Sequence, residues 1–171
     1  MCSSDLTLLI ILTGGATLLA DAVQIDLQLT HTYPGFDIAG VQNLLIDYNP
    51  NGILHNAQSY AGYCVDPASI WYDTTYSNYY LIPVPSTNNY LAVVWVFENY
   101  GTPANSFLAS DVQNAIWTLM GMNTSGPLFG AYAGIVSAAL QAVGNGGIST
   151  DGYMLAVRSE EHTSELQSRQ S

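Results

Sequence analysis

The sequence has almost no positive charge. It contains no lysine, and its two arginines, Arg158 and Arg169, both lie near the C-terminal end. Proteins that bind nucleic acid or anionic membranes need basic side chains to contact phosphates and acidic headgroups. The composition therefore argues against nucleic acid and anionic membranes as partners of residues 23–157. That region holds eight carboxylates: Asp26, Asp37, Asp47, Asp66, Asp73, Glu98, Asp111 and Asp151.

Cysteine is also scarce, since only Cys2 and Cys64 are present. Cys2 belongs to "MCSSDL", residues 1–6, and the C-terminal run "RSEEHTSELQSRQS", residues 158–171, is abruptly charged and polar. Both segments resemble translated sequencing-library adapters, so we interpret them as artefacts outside the fold. The alternative is a genuine polar terminus. If residues 1–6 are an artefact, Cys64 is the lone cysteine of the protein.

The chain has no uninterrupted apolar run long enough for a confident membrane span. Residues 7–22 are aliphatic, are broken by glycine and threonine, and end in the small-x-small pattern Ala20-Asp21-Ala22. We interpret them as a truncated secretory signal peptide. We therefore expect a single exported domain over residues 23–157, without a membrane span. A lone cysteine is unusual in an exported protein, because oxidising compartments pair thiols.

The hydrophobic pattern changes along this domain. The stretches "VQIDLQL", "GVQNLLIDY", "SYAGYCVD" and "NYYLIPVP" are strand-like and are separated by Pro, Gly and Asn. "NYLAVVWVFENYG", "SDVQNAIWTLMG" and "AYAGIVSAALQAVGNGG" have helical spacing, and "DGYMLAV" predicts a returning strand. The first helix should bury one face formed by Leu91, Val94, Trp95 and Phe97, and the second a face formed by Val112, Ile116 and Leu119. We predict an α+β fold, an antiparallel sandwich-like or barrel-like sheet with an inserted three-helix subdomain. Trp95 and Trp117 should be largely buried against the sheet.

The sequence contains no complete metal-binding motif. "DYNPNG", residues 47–52, matches the first half of a calcium loop, but the twelfth position is Gln58 rather than glutamate, so a plain turn is favoured. His31 and His55 have no Cys or Glu at metal-ligand spacing. We expect neither a metal nor a cofactor. By itself, Cys64 is most simply a small buried hydrophobe on a strand.

Two short motifs point to a different role for Cys64. "YCVD" contains Tyr63, Cys64 and Asp66, and "VQNAIW" contains Gln113, Ala115 and Trp117. Together they resemble the paired signature of the thioester domains of bacterial surface adhesins, in which a cysteine after an aromatic residue is cross-linked to the glutamine of a "TQxA(I/V)W" motif. The resemblance spans nearly all of residues 23–157. Val112 departs from it, because the adhesin motif has threonine before the glutamine.

The resemblance implies an internal thioester between Cys64 and Gln113 that acylates an amine on a partner, such as a lysine of a host or matrix protein or a polyamine. It implies a single-use adhesion module of a secreted bacterial cell-surface protein of the kind that carries a C-terminal sorting anchor, and not a turnover enzyme. The absence of lysine fits, because the domain then offers no ε-amine to consume its own electrophile.

Two alternatives remain open at this stage. Ser110 and Gln113 have the spacing of a helix capping box, which would give Gln113 a purely local role and place a helix N-terminus beside it. The second functional class is a non-reactive structural domain of an anchored surface or biofilm-matrix protein, with Cys64 left as an unreacted thiol.

Overall fold

The computed structural model describes residues 8–11, 22–30, 42–65, 73–101, 106–122 and 131–158. Within them the chain forms six strands and three helices. The elements in chain order are β1 (Leu8–Ile11), β2 (Val23–Thr30), β3 (Gln42–Asp47), β4 (Gln58–Cys64), β5 (Thr75–Pro83), α1 (Asn88–Tyr100), α2 (Ser106–Leu119), α3 (Ala131–Asn145) and β6 (Tyr153–Arg158). The three helices are inserted between β5 and β6, which confirms the predicted α+β fold.

The strands form a curled antiparallel sheet in the order β4-β3-β2-β5-β6. The sequence of β2 explains why this segment forms a strand of the sheet: its side chains alternate between the two faces, and Ile25, Leu27 and Leu29 are buried on one of them. β2 pairs with β3 on one side and with β5 on the other, with a register shift between Ile25 and Leu27. The alternating pattern of "VQIDLQL" therefore predicted this strand correctly.

Strand β1 closes the sheet into a barrel by pairing antiparallel with both β4 and β6. Leu8 lies opposite Cys64 on one side and opposite Ala156 on the other. β1 falls inside the segment interpreted as a signal peptide, and Arg158, assigned to the C-terminal artefact, is the last residue of β6. Cleavage after residue 22 and the artefactual ends remain predictions.

Two apolar clusters lie on opposite faces of the sheet. Along β6, Met154 and Ala156 belong to the cluster inside the barrel, whereas Leu155 and Val157 belong to the cluster under the helices. β5 is shared in the same way, with Leu81 inside the barrel. These strands are apolar on both faces because both faces are covered, which explains the nearly continuous apolar run in "YMLAV".

The helices cover the outer face of the sheet. In α2 the predicted face of Val112, Ile116 and Leu119 is buried, as expected. In α1 the buried face is broader than predicted: Ala92, Val93 and Val96 join Val94 and Phe97, while Leu91 and Trp95 are only half-buried. The difference arises because α1 is enclosed by both the sheet and its neighbouring helices, so its apolar residues are buried around most of the helix.

Helix α1 ends at a residue that must be glycine. The Gly101 N–H donates to the Phe97 carbonyl at 2.8 Å, and a Cβ placed at position 101 would overlap the Phe97 ring. The Phe97 ring in turn packs edge-on against Tyr63 of β4, with centroids 5.3 Å apart. The end of α1 is thereby fixed against the strand that carries Cys64.

Candidate functional site

Cys64 is the last residue of β4 and is half-buried, with its sulfur outside any disulfide. Its side chain packs against the cluster inside the barrel, whereas its neighbours Tyr63 and Val65 belong to the cluster under the helices. This alternation follows from the period of two in a strand. The thiol therefore lies on the barrel side of β4, and the helices lie on the other side.

Gln113 lies in the middle of α2 and is completely buried, with 0% of its surface exposed. Its neighbours Val112, Ala115 and Ile116 are equally buried and apolar. A buried amide among aliphatic side chains is costly unless both its oxygen and its nitrogen are hydrogen-bonded. Gln113 therefore needs polar partners from another element.

Those partners are the backbone groups of Cys64. The Cys64 N–H donates to Gln113 Oε1 at 3.1 Å, and Gln113 Nε2 donates to the Cys64 carbonyl at 2.5 Å. The side-chain amide thus occupies the position that a residue of a neighbouring antiparallel strand would take. The structure brings together the two residues, 49 positions apart, that the motifs single out.

The two hydrogen bonds also determine on which face of the Gln113 amide the thiol lies. The two hydrogen bonds hold the Gln113 amide in the plane of the β4 backbone, and a strand side chain leaves that plane roughly at right angles. The Cys64 sulfur therefore rises on the barrel-side face of the amide. A nucleophile adds to a carbonyl carbon from such a face, and the Cys64 N–H is already placed to stabilise the oxygen.

Ser110 does not have the role that its spacing to Gln113 suggested. α2 begins at Ser106, so Ser110 lies inside the helix and the capping-box interpretation is wrong. The helix N-terminus expected beside Gln113 is wrong for the same reason, because Gln113 lies beyond the first turn of α2. Residues before Ser110 extend the helix since "SFLA" has no Gly or Pro to stop it.

The other residues of the two motifs have different surroundings. Tyr63 and Ala115 are fully buried in the cluster under the helices. Trp117, like Trp95, is half-buried, so the two rings are less enclosed than predicted, and Trp95 packs against Tyr100 with centroids 6.1 Å apart. Asp66 lies outside the described residues.

Two buried carboxylates that the sequence did not single out shape the loop before β4. Asp26 and Asp47 lie opposite each other on β2 and β3 and are 0% and 1% exposed. Asp26 Oδ2 accepts the N–H groups of Asn51 and Gly52 at 2.8 and 2.7 Å. The available signal was Asp47 two residues before Asn49-Pro50, a pattern typical of side-chain-to-backbone turns.

Asp47 uses both of its oxygens in the same loop. Oδ1 accepts the Asn49 N–H at 2.9 Å, and Oδ2 accepts those of His55 and Asn56 at 2.9 and 3.0 Å. These backbone donors, Asn56 first, hold the pKa of Asp47 below its ordinary value. "DYNPNG" is therefore a turn held by carboxylates that face its own amides.

The described residues contain no cluster of three or more His, Cys, Asp or Glu side chains that could hold a metal ion. His55 is exposed, and His31 lies outside the described part of the chain.

The pKa values of two tyrosines are raised. Burial and, second, the hydrogen bond to Tyr60 raise the pKa of Tyr48. Burial and, second, the negative charge of Glu98 raise the pKa of Tyr153 to about 12. Both hydroxyls are therefore neutral at physiological pH.

Comparison of the chain with protein-family models, with curated proteins and with solved structures finds no match. Within the part of the chain that the structure describes, no helix has the length and apolar character needed to cross a membrane. The functional argument therefore rests on the geometry of Cys64 and Gln113.

Proposed function

We propose that the chain is a surface-exposed bacterial adhesion domain in which Cys64 and Gln113 form an internal thioester that bonds covalently to an amine on a partner surface, such as a host or matrix protein. The observation that carries this proposal is the buried Gln113 amide, held by two hydrogen bonds against the backbone of the only cysteine within residues 23–157.

The chemistry proceeds in two balanced steps. The Cys64 sulfur adds to the Gln113 carbonyl carbon, the C–N bond breaks, and ammonia leaves with the proton that the thiol gave up. An amine then adds to the same carbon, and the C–S bond breaks to restore the thiol. The product is an amide between Gln113 and the partner, and each domain reacts once.

The composition supports a stored electrophile. The chain has no lysine, so no ε-amine of the same or a neighbouring copy competes with the partner for the thioester. The amide is also shielded, because Gln113 is fully buried. Water would otherwise hydrolyse an acyl group held for long periods.

A second function is favoured by the same hydrogen bonds. They satisfy both backbone polar groups of Cys64 at the end of β4, which is a stabilising contact even without a reaction. On this alternative the chain is a non-reactive structural domain of a surface or biofilm-matrix protein. The two functions differ in the covalent state of Cys64.

Intact mass spectrometry of the purified protein separates them. The proposed function requires a mass one ammonia below that of the sequence, a shift on adding methylamine, and one thiol released per adduct. Cys64→Ala should abolish the mass deficit and the adduct while keeping the fold. Gln113→Glu is the matched control, since it keeps the size of the side chain but has no ammonia to lose. A full sequence mass and no methylamine adduct in the wild type would establish the structural alternative.

A further inference from the structure

Trp117 presents a buried hydrogen-bond donor without an acceptor. Its indole nitrogen Nε1 is buried and has no hydrogen-bond partner among the described residues. Native proteins satisfy nearly all buried donors, and an exception calls for an explanation. One explanation is that the acceptor arises only in another state of the site.

The position of Trp117 relates it to Gln113. The two residues are four apart in α2, so they lie on the same side of the helix one turn from each other. Helical side chains lean toward the N-terminus, and a residue covers the turn that precedes it. The Trp117 ring is therefore directed over the turn that carries Gln113.

The other buried residues around Gln113 in α2 offer no side-chain acceptor. Val112, Ala115 and Ile116 are buried and carry no polar side-chain atom, and the Thr118 hydroxyl donates to the Asn114 carbonyl at 2.8 Å. Gln113 Oε1 accepts the Cys64 N–H, and a carbonyl oxygen can accept two hydrogen bonds. The second lone pair of Gln113 Oε1 can therefore accept a hydrogen bond from the indole N–H when the oxygen moves during the reaction.

The direction of attack explains why the acceptor arises during the reaction. The Cys64 side chain lies on the barrel side of β4, and α2 lies on the opposite side. When sulfur adds to a planar carbonyl from one face, the carbon becomes tetrahedral and the oxygen moves toward the other face. The oxygen therefore moves toward α2 and gains negative charge as it does so.

We propose that the Trp117 indole N–H is the second donor of an oxyanion hole, acting together with the Cys64 N–H on the Gln113 oxygen. This inference rests on the proposed function. Both steps pass through a tetrahedral carbon: sulfur adds and ammonia leaves in the first, and the amine adds and sulfur leaves in the second. A donor that binds the oxygen only at that stage accelerates both steps.

The decisive variant replaces the indole N–H without changing the shape of the ring. Incorporation of benzothienylalanine at position 117 puts sulfur in place of N–H, and Trp117→Phe is the simpler variant. We expect each to slow methylamine addition by on the order of 100-fold, the effect of losing one oxyanion donor. The isosteric variant should keep the wild-type melting temperature, because the donor it loses has no partner in the resting protein.

The same replacements at Trp95, which is also half-buried but lies in α1, are the matched controls and should leave the rate unchanged.

The outcomes separate this inference from the proposed function. If the wild type carries no thioester, the proposed function fails and the role of Trp117 fails with it. If the wild type carries a thioester but the isosteric variant reacts with methylamine at the wild-type rate, only the role of Trp117 is overturned. If Trp117→Phe does not fold, the isosteric variant decides.

Discussion

Replacement of Gln113 by leucine tests the contact on which the site depends. Leucine keeps the apolar packing in α2 but leaves the Cys64 N–H and carbonyl without their partner amide. The substitution should be made in a Cys64→Ala background, since alanine retains both backbone groups but cannot form a thioester. The change in stability then reports the hydrogen bonds alone.

The magnitude follows from those two groups. Each buried group left unsatisfied costs about 1–3 kcal/mol, so the pair costs about 2–6 kcal/mol. Burying the leucine side chain in place of the amide returns roughly 1–2 kcal/mol. The net change spans about 0–5 kcal/mol, and we expect a loss near the centre of that range, about 2.5 kcal/mol in the free energy of unfolding, which lowers the melting temperature by about 10 °C in a domain of this size.

Denaturant titration and calorimetry measure this loss, and Gln141→Leu in the same background is the control. Gln141 lies on α3 with its side chain exposed, so the same substitution there should change stability by less than about 0.5 kcal/mol. Equal stability of the Gln113 and Gln141 variants would refute the hydrogen-bonded contact. The difference between wild type and Cys64→Ala alone reports the cross-link, which closes a loop of 49 residues and contributes up to about 4 kcal/mol in the chain-entropy treatment.

Three further predictions concern the surroundings of the site. Val112 is fully buried, and Val112→Thr restores the adhesin-like motif. If the threonine hydroxyl bonds back to the preceding turn, the substitution should lower the free energy of unfolding by about 1 kcal/mol. A loss above about 3 kcal/mol in a denaturant titration would contradict this. Because the folded-state pKa of Asp47 is lowered, its contribution to stability is complete above the unfolded pKa of about 3.9 and is lost as the pH falls through the lower folded value. Asp47→Asn should therefore shrink the difference in stability between pH 6 and pH 3, and an unchanged difference would show that another group causes the acid sensitivity. A chain beginning at Val23 lacks β1, the partner of β4 and β6, so it should melt at a lower temperature than the full chain and recover when a peptide containing Leu8–Ile11 is added. Equal melting temperatures would show that β1 contributes nothing to the barrel.

Much of the fold was determined by the sequence, because local patterns report how each segment is buried. The period of two in "VQIDLQL" and the helical spacing of Val112, Ile116 and Leu119 predicted their elements correctly. The two motifs also singled out Cys64 and Gln113 before any contact was known. The sequence signals for where a helix begins were less informative. Ser110 has a side chain typical of a helix N-cap, yet it lies inside α2. An N-cap residue and an interior residue can have the same local sequence.

Only the tertiary structure decided how these residues meet. The two hydrogen bonds between Gln113 and Cys64 join residues 49 positions apart, and no local pattern specifies that the amide takes the place of a neighbouring strand. The pairing of Asp26 with Asp47 depends in the same way on the register of β2 against β3. The face on which the thiol lies, toward the barrel and away from α2, is likewise set by packing across the sheet. Such relations come from long-range contacts, because burial and register are properties of the assembled sheet and helices rather than of any single segment.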